Sequence, residues 1–157
     1  MVNPPRVGDE LPRLAIPVTR TLIVAGAIAS RDYQDVHHDA EAARAKGAPD
    51  IFMNILTTGG LVGRYITDWA GPGAELRGLA IRLGAPNHPG DTMTLTGRVA
   101  EVAEGTAVVS VTGRNRLGNH VTGTVTVLWK EESDGPGAES EGASGGAGCS
   151  PGVRGGT

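Results

Sequence analysis

Residues 50–71 read DIFMNILTTGGLVGRYITDWAG, and their apolar side chains recur at helical rather than alternating spacing. Ile51, Ile55, Leu56, Leu61, Val62, Tyr65, Ile66 and Trp69 fall close to the steps of an α-helix, and Gly71-Pro72 supplies a stop. Asp50 is the expected N-cap. Because the run is apolar on more than one side, it predicts a largely buried helix. Gly59, Gly60 and Gly63 oppose helix formation, each by ~1 kcal/mol relative to alanine, so something must compensate. Close packing of the helix against a sheet is one explanation, and space opened for a bulky ligand is the other.

What surrounds this segment is β-patterned. Met93, Leu95, Gly97 and Val99 alternate with Thr94, Thr96 and Arg98, the period-two signature of a strand with one buried face. A second run begins at Thr106 (TAVVSVTGRNRL), and a third at His120, where Val121, Val125, Val127 and Trp129 alternate with threonines. Gly118-Asn119 lies between these two and predicts a hairpin turn. ELRGLAIRLGAP, from Glu75, is a fourth strand, ended by Ala85-Pro86. ELPRLAIPVTR can also pair, but Pro12 and Pro17 lack amide donors, which predicts an edge position. One buried helix followed by several antiparallel strands gives an α+β fold with the sheet wrapped around the helix.

Composition bounds the rest. With 157 residues, 39% of them hydrophobic, the chain suits one domain with a real core. From Glu131 the sequence is rich in Gly, Ser and Glu without apolar periodicity, so residues 1–130 are expected to fold and 131–157 to form a disordered tail. The formal charge is −3 with scattered basic residues, which argues against nucleic-acid binding. The opening MVNPPRVGDELP lacks a charged start followed by an apolar run, and no apolar stretch reaches membrane-spanning length. A cytoplasmic protein with no membrane contact is the expectation. Cys149 is the only cysteine, which excludes an intrachain disulfide, and neither H-E-x-x-H nor H-x-E…C-x-x-C occurs, so no metal is expected.

Chemistry concentrates in SRDYQDVHHDAEAARAKG, residues 30–47. Asp39 is the expected N-cap of the short helix AEAARAK, with Gly47 beyond its end. Asp32 and His37 admit two readings. They are solvated loop residues, or, carried to the edge of the core by the small apolar TLIVAGAIAS, they share a water and exchange its proton near neutral pH. His38 points elsewhere as an exposed neighbour, and His88 and His120 read as ordinary turn residues.

Residues Ser30 to Asp39 resemble the motif S-x-D-x-N-P-x-H-x-D of the MaoC-like, R-specific enoyl-CoA hydratases. Ser30, Asp32, His37 and Asp39 are in register, and Gln34-Asp35 replaces Asn-Pro. The leading VGDELP, the central helix and Pro86-Asn87-His88-Pro89-Gly90-Asp91, similar to the family's P-V-x-x-G-D, extend the likeness over nearly the whole folded region. The resemblance implies a hotdog fold paired with a second hotdog, either another copy or a different MaoC-like subunit. It also implies syn addition of water to a trans-2-enoyl-CoA, with Asp32 and His37 catalytic and no cofactor beyond the coenzyme A of the substrate.

Two departures stand out. Where the family has His-Gly-Met at the start of the central helix this chain has Ile51-Phe52-Met53, and a serine common further along is Gly60. Phe52, Met53 and Gly60 are therefore the expected substrate-binding residues, with the Phe52 amide as the donor to the enolate oxygen. With KGAPDIFMN, the pattern is most similar to the small catalytic subunits of actinobacterial steroid side-chain hydratases, in which the partner MaoC-like chain lacks the catalytic residues. A fused-ring acyl group would then use the room at the glycines. Arg82, Arg114 and Arg116 are either contacts for the coenzyme A phosphates or surface arginines. A linear fatty enoyl-CoA hydratase, a hotdog thioesterase and a noncatalytic partner subunit are the rival functions, and the retained D-x(4)-H pattern speaks against the last two.

Overall fold

The computed structural model describes residues 5–129. The chain runs β1 (Leu14–Pro17), α1 (Arg20–Ala29), a 3-10 turn (Asp35–His37), α2 (Ala40–Ala45), α3 (Ile55–Ala70), β2 (Ala74–Leu83), β3 (Thr92–Ala103), β4 (Thr106–Asn115) and β5 (Gly118–Trp129). The strands form one antiparallel sheet in the order β1-β3-β4-β5-β2. The predicted tail, Cys149 included, lies outside the described residues.

Strand periodicity builds the core as expected. Met93, Leu95 and Val99 of β3, Ala107, Val109 and Val111 of β4, and Val121, Val125 and Val127 of β5 are all buried. From α3, Val62, Tyr65, Ile66 and Ala70 close over them, so the long helix and the sheet share a single core. At ~25 cal/mol per Å² of apolar surface removed from water, this shared layer is the main source of stability. β1 is an edge strand, paired only with β3, as expected from Pro17 within it and Pro12 just before it.

Three boundaries differ from expectation. The central helix begins at Ile55 rather than Asp50, and its N-cap is Asn54, whose Oδ1 accepts Thr57 N–H at 2.9 Å. Asp50 is occupied elsewhere: it holds Arg20 through contacts of 3.1 and 2.7 Å and accepts its neighbour's amide, Ile51 N–H, at 2.8 Å. Residues 51–54 have no regular secondary structure, and Ile51 and Met53, 0% and 1% exposed, enter the core two residues apart. The first turn of α3 is also open, with Ile55 and Leu56 48% and 57% exposed.

The second difference is TLIVAGAIAS, which becomes α1, capped by Thr19 and buried at Ile23 and Ala27. Gly26 is the close-packing glycine between the helices: a Cβ there would stand 2.2 Å from Thr57 Oγ1 on α3. At Gly59 and Gly63 a Cβ would meet leucine or isoleucine side chains of β2 no nearer than 3.7 Å, and at Gly60 nothing within 4 Å. Tight packing therefore explains none of the three helix glycines. The third is the β4–β5 hairpin, which turns at Arg116-Leu117 because Asn115 Oδ1 accepts the amides of Leu117 and Gly118 at 2.8 and 3.1 Å. Gly118, at φ 133°, already starts β5.

Candidate active site

Helix α1 delivers the acid. Ser30 donates its hydroxyl to Gly26 O at 2.7 Å, Arg31 N–H returns to Ile28 O, and Asp32 N–H to Ala27 O at 2.9 Å. These bonds form a Schellman closure, with Arg31 at φ 56° in the left-handed position that glycine normally fills. Backbone strain is thus spent on the residue that aims Asp32.

The histidine arrives on the following 3-10 turn. His37 Nε2 lies 3.3 Å from Asp32 Oδ2, with the side chains 7% and 21% exposed. His37 Nδ1 stands 2.7 Å from Phe52 O. A carbonyl only accepts, so Nδ1 carries the proton and, in the neutral ring, the Nε2 lone pair faces the carboxylate. Two acceptors cannot bond each other directly. One proton, or one water that donates to both, completes the pair.

Asn54 supplies the third part. Its Nδ2 donates to Ser30 Oγ at 2.9 Å and to Asp32 Oδ2 at 3.0 Å, while its Oδ1 caps α3. The carboxylate is therefore tied to the positive end of the central helix. Asp32 Oδ1 keeps only a long 3.5 Å contact with Gln34 N–H, so this oxygen is the freer one to receive a proton. The amides of Asn54, Ile55 and Leu56 have no acceptor among the described residues, which makes the start of α3 a place for a developing negative charge.

A model of the MaoC-like domain matches residues 3–121. The chain belongs to the MaoC-like family. The beta subunit of 3-oxo-4,17-pregnadiene-20-carboxyl-CoA hydratase from Mycobacterium tuberculosis (strain ATCC 25618 / H37Rv) is 50% identical over 125 residues, covering 80% of this chain and 97% of the relative. In the crystal structure of the ChsH1-ChsH2 complex from Mycobacterium tuberculosis, a chain 50% identical superposes with a TM-score of 0.78, over 80% of this chain and 98% of that one. The unliganded R-hydratase PhaJ1 from Pseudomonas aeruginosa shares the fold at 22% identity, with a TM-score of 0.74 over 81% and 83% of the two chains. The fold is the hotdog, as the resemblance implied, and its α+β arrangement is the one the helix and sheet patterns predicted.

The other expected site residues of this MaoC-like chain divide. Phe52 reaches the site, its ring edge-on to His37 with centroids 5.2 Å apart, but its amide is not free: it donates to Val36 O at 3.1 Å. The anticipated enolate donor is thus already used, and the free amides lie two to four residues further on. Met53, 1% exposed, packs in the core among Met93 and its neighbours, where it has no face to offer a substrate. Gly60 is exposed on α3 with open space above it. Arg82 and Arg114 are exposed, whereas Arg116 holds the buried Asp91 carboxylate. His38 is exposed and bonds Tyr33 O, and Asp39 caps α2 through bonds to Glu41 and Ala42, both as expected.

Three residues escaped the sequence reading. Asn54 looked like one polar residue inside a helix, and only its cap position reveals its role. His88 and His120 are buried, at 4% and 1% exposure; His88 does open the turn at Pro89-Gly90, whereas His120 lies within β5. His120 Nδ1–H donates to Ala85 O at 2.7 Å, and Thr58 Oγ1 lies 2.9 Å from Nε2. The single hydrogen of the Thr58 hydroxyl has two acceptors in reach, Asn54 O at 3.1 Å and, in the neutral ring whose proton sits on Nδ1, His120 Nε2 at 2.9 Å. Burial pushes the His120 pKa below its ordinary value. Among the described residues no cluster of three or more His, Cys, Asp or Glu is arranged to hold a metal ion.

Proposed function

We propose that this chain is the catalytic subunit of an R-specific enoyl-CoA hydratase acting on a steroid side-chain thioester, with Asp32 and His37 as the catalytic pair. The observation that carries the reading is the approach of His37 Nε2 to Asp32 Oδ2 at 3.3 Å while Nδ1–H is committed to Phe52 O, which leaves Nε2 as the basic nitrogen of the neutral ring. A water held between them loses one proton to this pair as its oxygen bonds to C3 of the enoyl group. The C2=C3 π electrons move toward the thioester carbonyl, and the resulting enolate oxygen takes hydrogen bonds from the free amides at the start of α3. The enolate then collects the proton at C2, so hydrogen and hydroxyl are added to one face and no external oxidant, reductant or cofactor takes part.

The steroid assignment draws on the 50% identity to a subunit named for a pregnadiene-carboxyl-CoA. The surface agrees with it. Ile28 and Tyr33, either side of Asp32 in sequence, and Ile55 and Leu56, directly after Asn54, are all exposed, and Gly60 adds an open step along α3. A second MaoC-like subunit would close this apolar face, by analogy with the complex in which the similar chain occurs. Burying fused rings between the two subunits would draw on the same apolar surface.

The test is the loss of enoyl-thioester ultraviolet absorbance when the purified chain meets linear and steroid enoyl-CoAs, alone and with candidate MaoC-like partners. Hydration of the steroid thioester only when a partner is present is the expected result. Hydration of linear substrates by the chain alone would instead make it a self-sufficient fatty-acyl hydratase.

A further inference from the structure

His88 is a buried histidine that the hydration mechanism does not use. Its Nδ1–H donates to Ile51 O at 2.9 Å, and its ring meets Phe52 edge-on at 6.2 Å. His37 treats the next residue in the same way, donating Nδ1–H to Phe52 O at 2.7 Å with its own ring edge-on to Phe52 at 5.2 Å. Two imidazoles therefore hold consecutive carbonyls, and the Phe52 ring is in edge-on contact with both. The intervening segment has no secondary structure to hold it, and each of its peptide planes is pinned from two sides. The 51–52 plane is held by His88 at its carbonyl and Val36 O at its amide, and the 52–53 plane by His37 at its carbonyl and Asn87 O at its amide.

The geometry points to His88 as a positioning residue for the hydration step: by fixing the Ile51–Phe52 peptide and the Phe52 ring, it keeps Phe52 O where it selects the Nδ1–H tautomer of His37. Buried carbonyls require a donor, so without His88 the Ile51 carbonyl must turn to find another. Rotation of that plane swings the Phe52 ring and the adjoining carbonyl, and His37 loses the bond that directs its Nε2 at Asp32. His88 is itself held, since its amide donates to Asp91 Oδ2 at 3.0 Å and the other oxygen of that buried carboxylate accepts from Arg116. Nothing in this chain of contacts requires His88 to touch substrate.

The inference rests on the Asp32–His37 reading, and the experiment separates the two. His88→Asn places an amide donor near the Nδ1 position, whereas His88→Gln moves it to the Nε2 position. In the assembled enzyme, the glutamine variant is expected to lose about 10- to 100-fold in kcat with KM changed less than about threefold, and the asparagine variant to recover most of that loss. Nitrogen-15 NMR of the imidazoles should show His37 as the Nδ1–H tautomer in the parent and asparagine proteins and as a mixture in the glutamine protein. Parent kcat and a single His37 tautomer in both variants would overturn the inference. So would equal loss in both with the tautomer unchanged, because packing alone would then be responsible. Asp32→Asn, run alongside, reports on the underlying reading: if it leaves kcat intact, the catalytic assignment falls, whatever the His88 variants do.

Discussion

At the scale of single residues, the site turns on where one proton rests. His37 gives its Nδ1–H to a carbonyl, so its other nitrogen is available as a base only because Asp32 offers no proton of its own when ionised. Asp32→Asn and His37→Ala are expected to lower kcat by about 10²- to 10⁴-fold while the chain still assembles, which steady-state hydration and size-exclusion chromatography check together. Asn54 performs two tasks that one substitution separates. Asn54→Ser keeps an N-cap oxygen but loses the donor to Asp32, so urea stability should stay within about 0.5 kcal/mol of the parent while kcat falls about 10- to 100-fold. Proportional loss of both would show that the amide serves the helix alone. Asp32, His37 and Asp39 were legible because motif spacing fixes them. Asn54 was not, since a cap is defined by where a helix starts, and that depends on which neighbours enter the core.

At the scale of elements, the junction of α1 and α3 sets the distance between acid and helix end. Gly26 permits that approach, and Gly26→Ala would press a methyl against Thr57 Oγ1, Cγ2 and Cβ, at 2.2, 2.7 and 3.0 Å. A loss of about 1–3 kcal/mol in unfolding free energy is expected, with Thr57→Ala in the same chain recovering part of it. Denaturant titration of the single and double variants decides the matter, and no loss in Gly26→Ala would mean that α1 stands further from α3 than described. Sequence patterning found β3, β4 and β5 because alternating valines and threonines carry their own period. It missed α1, whose small residues Ala25, Gly26 and Ala27 show little amphipathic contrast, being selected for close approach rather than for one apolar face. It also began α3 at Asp50, a residue with a good capping side chain that is instead spent on Arg20.

For the whole molecule, a neutral histidine in the core makes stability respond to pH. His120 has a folded-state pKa below its ordinary value of 6.5, owing first to burial and against the opposing bond to Ala85 O. Between that depressed value and about 6.5 the unfolded chain binds the extra proton and the folded chain does not, so the contribution is full above pH 6.5 and is lost as pH falls through the folded value. Urea midpoints measured from pH 7 to pH 5 should fall, and the fall should be shallower in His120→Asn, which keeps a donor for Ala85 O but does not titrate. Identical slopes in parent and variant would place the pH response elsewhere. The same histidine, through Thr58, ties β5 to α3 one turn from the cap that orients Asp32.

The sequence alone determined the α+β class, the edge position of β1 and the alternation that fills the core, because each is written in local periodicity or proline placement, whereas it singled out Asp32 and His37 only through resemblance to a family motif. Tertiary structure decided the rest. Which carboxylate caps and which binds an arginine, which glycine is pressed against a neighbour, which amides remain free and which histidines are buried all depend on groups far apart in the chain. Asp50 meets Arg20, Gly26 meets Thr57, Phe52 N–H meets Val36 O, and His88 meets Ile51 O only once the helices are laid against the sheet. A hydrogen bond between distant residues leaves no period in the sequence, and it is such bonds that aim this site.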